Sequence, residues 1–402
     1  MMKMDNTEIN NKPVSFIFIG ESYLGGMAGS KRIQNVINGL LKNSSVEVGN
    51  LIIENPNDKK DKLRKGVKNK VHFHKINYSL KNPLSFLSFY IQGVKYIFNS
   101  KKSKYNNVIY CYDSPTIIIL PFLLFSKIIS YKIVIDIVED YNLLNTKTLS
   151  KKQRFKLKLY SFLENNIFAY SDGVICISNY LLNKFESKTK KQSKLHYLPI
   201  NVNFEYFNKV KTLNNNTTTQ LFYGGSFGEK DGLIYLLKAF EIYERKNSNI
   251  ELILTGKPPK KGMDDVLNFI NSSEVKHKIK FLGYLSDDEY YKVLNQSDIL
   301  CMTRINSTFA NAGFPYKLGE MLATGKPVIA TNVGDVSNFI HSNENAILIE
   351  PESSEAIVNA IDFIALNKES ASIIGKNGYE TAKKHFDVEI QAKSILTFVN
   401  QL

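Results

Sequence analysis

The sequence predicts an α/β protein built from two doubly wound domains. Two observations point there first. Short apolar runs alternate with helical stretches along the chain, the pattern that gives parallel sheets covered by helices. The alternation breaks once, near the middle, where LNNNTTT (213–219) has a linker composition. Length is the third: 402 residues exceed what one core usually serves. The expected division is 1–205 for a front domain, 206–220 for a linker and 221–387 for a back domain. The terminal helix, 388–402, is expected to pack back on the front domain.

The elements follow in order. VSFIFIG (14–20) is a nearly continuous apolar run ending in glycine, as in a strand buried on both faces. A glycine-rich loop with Gly25, Gly26 and Gly29 comes next. Ile33, Val36, Ile37, Leu40 and Leu41 then form one helical stripe. NVIYCY (107–112), KIVIDI (132–137) and GVICI (173–177) read as further buried strands. The apolar stretch 116–130 contains Pro121, Ser126 and Lys127 and is shorter than the ~20 residues of a membrane span. It is expected as a buried helix beside the sheet. In the back half, LFY (221–223), IELILT (250–255), IKFL (279–282), DILCM (298–302), PVIAT (327–331) and AILI (346–349) read as strands. Sheets of this kind bind ligands beyond their strands' carboxyl ends, so two of them would face each other across a cleft.

Charge is uneven. Residues 1–210 carry 32 Lys and Arg against 15 Asp and Glu, a net +17, whereas residues 211–402 carry −3. A basic front half suits an anionic surface, which leaves nucleic acid, an acidic leaflet or a phosphorylated substrate, or serves only solubility. The basic residues do not interleave with aromatics as in an RNA-binding motif, so no nucleic acid is expected. Residues 151–159 (KKQRFKLKL) form a basic helix with Phe155, Leu159, Phe162 and Leu163 on one stripe. It suits an acidic leaflet or a solvated face. The run 59–70 is expected as a mobile loop. Met1–Lys12 lacks the apolar core of a signal peptide. Cys111, Cys176 and Cys301 stand far apart, which argues against a disulfide framework and suits a reducing cytosol. The histidines lack metal-ligand spacing, and no DxD or acidic cluster is visible, so no metal or other cofactor is expected.

Candidate chemistry sits in loops after strands. The richest stretch is NAGFPYKLGEMLATGKPVIAT (311–331). Pro315 suits a first helical turn and Gly325 its end, which predicts a helix from about Pro315 to Thr324. Its amino end offers free N–H groups to an anion. Lys317 lies in the first turn, where the helix dipole disfavours a cation, which suggests an anion in front. Glu320 shares its face and could accept hydrogen bonds from a ribose diol, or simply pair with Lys317. Tyr223-Gly-Gly-Ser-Phe-Gly-Glu-Lys-Asp-Gly232 lets a ligand approach the backbone, with Lys230 available to a diphosphate. It lacks the ending of a Walker loop. Gly256 and Lys257 follow IELILT, and Leu285 follows IKFL. In the front half Glu139 and Asp140 follow the KIVIDI strand, with Asp136 inside it.

In this order the pieces resemble the donor-binding half of family-4 retaining glycosyltransferases, among the glycosyl transferases group 1 of GT-B fold. The resemblance runs from Leu221 to Phe386. It implies a GT-B architecture of two Rossmann-like domains facing across a cleft, with an acceptor-side front domain. It implies metal-independent transfer of a hexosyl group, with retention, from a nucleotide-diphosphate sugar such as a UDP-sugar to a hydroxyl. It assigns Lys230 to the diphosphate, with Gly225 or Ser226 where the family often has arginine. Arg304 is the expected replacement. Glu320 matches the family's ribose glutamate, and Ala312 stands where another glutamate is common. Gly313, Phe314, Pro315 and Tyr316 would meet the sugar or β-phosphate, Leu285 the base, and Gly25 and Gly26 the diphosphate from the front. Glu139 is the candidate catalytic carboxylate. The acceptor would be a sugar or a polyprenyl-diphosphate-linked saccharide in bacterial capsule, O-antigen or exopolysaccharide assembly. The protein would be cytoplasmic, peripheral to the inner membrane face. The rivals are a GT-B-like sugar-nucleotide epimerase and a basic nucleic-acid-binding protein.

Overall fold

The computed structural model describes residues 12–20, 28–54, 63–79, 82–143, 150–189, 191, 194–208, 218–246, 249–256 and 264–402. The front sheet contains β1 (Val14–Gly20), β2 (Val46–Glu54), β3 (Lys65–Lys68), β4 (Val71–Asn77), β5 (Asn106–Tyr112), β6 (Lys132–Ile137), β7 (Gly173–Cys176) and β8 (Leu195–Tyr197). Its spatial order is β3-β4-β2-β1-β5-β6-β7-β8. Every described pairing in it is parallel except β3 with β4. The back sheet contains β9 (Thr219–Gly224), β10 (Ile250–Thr255), β11 (Ile279–Phe281), β12 (Ile299–Met302), β13 (Val328–Thr331) and β14 (Ile347–Ile349), in the order β11-β10-β9-β12-β13-β14. This is the doubly wound order of a dinucleotide fold, with the crossover point at β9 and β12.

Burial on both faces explains the continuous apolar strands. Phe16 and Phe18 of β1 face a layer with Ile33, Ile37 and Ile395, while Ile17 and Ile19 face another with Phe89 and Phe122. The terminal helix Val388–Gln401 crosses back to the front sheet. Val202 N–H donates to Phe386 and Val388 N–H to Val202, at 2.7 and 3.1 Å. Phe398 stacks on His196 at 4.9 Å, and the Ser394 hydroxyl lies 2.9 Å from His196 Nε2.

Three expectations change. Residues 65–68 are an edge strand rather than a loop; Asn69 and Lys70, both with positive φ, make the tight turn that pairs them with β4. The expected linker is shorter: 205–208 form a helical turn that buries Phe207, and β9 begins at Thr219. The apolar stretch 116–130 forms the helix Leu120–Ile128, but only one of its sides is buried. Phe122 and Leu123 face the core, while Leu124 and Ile128 lie open.

Candidate functional site

The carboxyl ends of both sheets open on one cleft, with a cavity of about 870 Å³ between them. From the front half Lys31, Arg32, Tyr112, Val138 and Glu139 line it. Residues from all the loops after β9 to β12, and from the segment 314–321, line the opposite wall.

Backbone bonds tie the back-half loops together. Gly225 N–H donates to Thr255, and Gly256 N–H to Gly283, at 3.0 and 2.9 Å. Gly256 has φ +147°, and a Cβ there would stand 1.8 Å from the Gly225 carbonyl oxygen, so only glycine fits. The turn 229–231 is held against the loop after β12: Ile305 N–H donates to the Lys230 carbonyl at 3.0 Å, and Thr303 Oγ1 donates to Asp231 at 3.1 Å. Asp231 closes its own loop, accepting from Ser226 Oγ at 2.5 Å and Gly228 N–H at 3.1 Å. These bonds set Lys230 and Arg304 on neighbouring loops facing one space.

Glu139 reaches that space from the other domain. Its carboxylate pairs with Lys230 Nζ at 3.2 Å. Lys230 also lies over the Phe309 ring, 4.9 Å from its centroid. Arg304 Nη1 donates to the Ala310 carbonyl at 3.1 Å, and no carboxylate lies in ion-pair range of it among the described residues. Burial lowers the pKa of the Arg304 guanidinium, and the nearby charges of Asp231 and Glu139 oppose that fall. Two cations therefore stand at the domain boundary, and among the described residues only Lys230 has a carboxylate in ion-pair range.

The neighbouring carboxylates have other duties. Asp136 is fully buried and bonded twice by Arg32, at 2.8 and 2.9 Å, and once by Tyr110. Asp140 pairs with Lys184 at 2.8 Å. Of the three carboxylates in and after β6, Glu139 alone lines the cavity.

Glu320 lines the cavity too, but its oxygens are engaged. Tyr291 donates to Oε1 at 2.8 Å, Tyr290 donates to Oε2 at 3.2 Å, and Lys317 Nζ lies 3.3 Å from Oε2. Lys317 also sits 3.8 Å from the Tyr290 ring centroid. The cation expected to face an anion is thus directed to Glu320 and an aromatic face. The two tyrosines stand on the helix Asp287–Gln296, whose role here the sequence pattern did not reveal. The helix after Pro315 spans Tyr316–Leu322, shorter than expected, with Pro315 as its extended N-cap.

Of the other candidates, Gly225, Ser226, Gly256, Leu285, Phe314, Pro315 and Tyr316 line the cavity. Gly313 stands aside, a Cβ there lying 3.4 Å from the Val138 carbonyl oxygen. Ala312 is fully buried, and its carbonyl accepts from Ser178 Oγ at 2.5 Å. A small residue at 312 lets this segment dock on the front half. Gly25, Gly26 and Lys257 lie outside the described residues. Lys31 was missed, although it directly follows the glycine-rich loop. It pairs with Asp287 at 2.5 Å and lies over the Tyr206 and Tyr291 rings, spanning the two halves. No group of three or more metal-ligating side chains occurs among the described residues.

Residues 205–381 match the family model of glycosyl transferases group 1. The back domain thus resembles the glycosyl transferases group 1. It is 27% identical over 214 residues to an uncharacterized glycosyltransferase, MJ1178, of Methanocaldococcus jannaschii, covering 53% of this chain and 55% of that one. It is also 27% identical over 231 residues to the putative teichuronic acid biosynthesis glycosyltransferase TuaH of Bacillus subtilis, covering 57% and 55%. The chain spans about half the length of these relatives. Among solved structures, HepE of Anabaena in complex with UDP and glucose superposes with a TM-score of 0.71 at 15% identity, covering 97% of this chain and all of that one. Sucrose-phosphate synthase of Thermosynechococcus elongatus gives 0.68 at 16% identity, covering 95% and 97%. The fold is GT-B, with the matched residues 205–381 forming the back wall of the cleft.

Proposed function

We propose that the protein is a retaining glycosyltransferase that moves a hexosyl group from a nucleotide-diphosphate sugar, a UDP-sugar first among candidates, to a hydroxyl acceptor. One observation carries the reading: Lys230 and Arg304 face a common space at the cleft, where the only carboxylate within ion-pair range of either, among the described residues, comes from the opposite domain. A diphosphate supplies the negative charge such a space favours. HepE binds UDP and glucose by its own description, and TuaH is assigned to teichuronic acid synthesis; both agree with this substrate class.

In this reading the base lies by Leu285 and the glycine loops 225 and 256. Lys230 and Arg304 meet the diphosphate, and the sugar extends toward Phe314 and Glu139. The bond from the anomeric carbon to the β-phosphate oxygen breaks while a bond to the acceptor oxygen forms on the same face. The acceptor's proton passes to the departing phosphate oxygen. The two cations neutralise the charge growing on that phosphate, the electrostatic contribution that removes most of such a barrier. Neither cation needs a metal ion for this, so metal-independent transfer is part of the proposal. Glu139 then orients the acceptor hydroxyl from the front domain. Glu320 holds Tyr290, Tyr291 and Lys317 in place and reaches a ribose only if one of these yields.

The acceptor is a sugar or polyprenyl-diphosphate-linked saccharide in bacterial surface-polysaccharide assembly. The basic front domain supports an acceptor held at the inner membrane face, with the enzyme cytoplasmic and peripheral. A thermal-shift panel of UDP-, GDP-, ADP- and dTDP-sugars tests the donor. One nucleotide class should raise the melting temperature by several degrees; a flat response to all four would remove the donor assignment.

A further inference from the structure

We propose that one face of the front domain, built by the helices Pro83–Asn99, Leu120–Ile128 and Lys151–Asn165, is an insertion surface for an anionic lipid bilayer. The inference deepens the proposed membrane-held acceptor and rests on it for its purpose, though not for its test.

The first helix carries the observation. Leu84, Leu87, Ile91 and Phe98 are spaced by three, four and seven residues, which puts them on one stripe. All four are exposed, Leu84 at 77%, while Phe89, Gly93 and Ile97 on the opposite side are buried. The stripe runs for about 20 Å at the helical rise. The sole charge on this helix is Lys95, also exposed. A stripe of this length left open on a surface helix marks an interaction site rather than scatter.

The neighbouring helices continue it. Leu120–Ile128 packs beside the first helix through Phe122, whose ring lies 5.3 Å from Phe89 and 5.2 Å from Tyr90. It exposes Leu124 and, at 80%, Ile128. Lys127 reaches the Ala169 carbonyl, just past the end of the third helix. That helix exposes Phe155 and Phe162, one stripe at i, i+7. Its Lys156 and Tyr160 influence Tyr78, whose ring contacts Phe86 of the first helix at 5.9 Å. The first two helices therefore pack together, and the third borders them through Tyr78 and Ala169.

Charge selects the occupant. The three helices carry Lys95, Lys127, Lys151, Lys152, Arg154, Lys156 and Lys158. Their one acid, Glu164, is buried and paired with Lys184 at 2.9 Å. Lys127 already lies 3.8 Å from Asp172; a second copy of the chain would bring the remaining basic face against itself, with no exposed carboxylate on these helices to meet it. An anionic leaflet accepts both features: apolar side chains enter the acyl boundary while lysines stay among the headgroups.

The test is co-sedimentation of the full chain with phosphatidylcholine vesicles, with and without phosphatidylglycerol, with UDP binding measured on the same samples. Wild type should pellet with the phosphatidylglycerol vesicles. The triple variant Leu84→Ser, Ile91→Ser, Ile128→Ser keeps every cation and should lose at least about tenfold in partitioning. Lys151, Lys152, Arg154 and Lys158 changed together to Gln should abolish the preference for phosphatidylglycerol. Wild type remaining in the supernatant, or the triple variant partitioning as wild type does, overturns the proposal. A lipid-free dimer that the triple variant dissociates would instead assign the face to a second copy. UDP binding that persists while vesicle binding fails leaves the donor reading standing; the reverse pattern overturns the donor reading alone.

Discussion

Glu139 occupies an ambiguous position: it belongs to the front domain yet satisfies a cation of the back one. Where a diphosphate binds, the carboxylate and the phosphate compete for Lys230, 3.2 Å away. The pair is partly exposed, so its contribution is modest, about 0.2–1 kcal/mol. Glu139→Gln should therefore tighten UDP binding, by no more than about fivefold, and lower turnover through loss of the acceptor-side carboxylate. Calorimetric titration and a transfer assay read the two effects separately; weaker UDP binding in the variant would contradict the competition. Glu320 acts differently. Its removal strands the hydroxyls of two buried tyrosines, and an unsatisfied buried group costs about 1–3 kcal/mol. Glu320→Ala should destabilise the fold by at least that much in denaturant unfolding. Unchanged stability would show that its bonds to Tyr290 and Tyr291 are dispensable.

At the level of elements, the terminal helix is fastened through a titratable contact. His196, stacked on Phe398, has its pKa lowered to about 4, chiefly by burial. The folded state thus binds fewer protons than the unfolded state between pH 6.5 and 4, and stability falls as the pH drops through that window. Amide exchange across Val388–Gln401 should quicken on going from pH 7 to 5, after correction for intrinsic rates, and His196→Gln should flatten that dependence. Equal protection at both pH values would dissociate His196 from the docking. Strands were the most legible elements, because a parallel strand buried on both faces must be almost entirely apolar, as in VSFIFIG and IELILT. The edge strand Lys65–Lys68 was not legible, since its charged residues face solvent and only the turn at Asn69 and Lys70 betrays it. The helix Leu120–Ile128 was misjudged because apolar composition alone cannot say which side is covered.

At the scale of the molecule, the glycine loops and the NAGFPYKLGE segment could be placed from sequence, because each follows a strand of the back sheet and ligands bind at strand ends. What lay beyond reach was every contact between the halves. Lys31 with Asp287, Glu139 with Lys230 and Ser178 with Ala312 join residues more than ninety positions apart, and no local pattern announces them. A shorter separation, about thirty positions, was enough to hide the capture of Lys317 and Glu320 by Tyr290 and Tyr291. The central claim is a pyrophosphate bound by Lys230 and Arg304 together, on the back wall of the cleft. Its most direct test is the dissociation constant of UDP, measured calorimetrically at 25 °C for wild type, Lys230→Ala, Arg304→Ala and the double variant. Each single change should weaken binding at least about tenfold, since charge-assisted bonds to phosphate are among the strongest a protein makes, and melting temperatures should stay near wild type. Equal affinities in all four proteins would contradict the account.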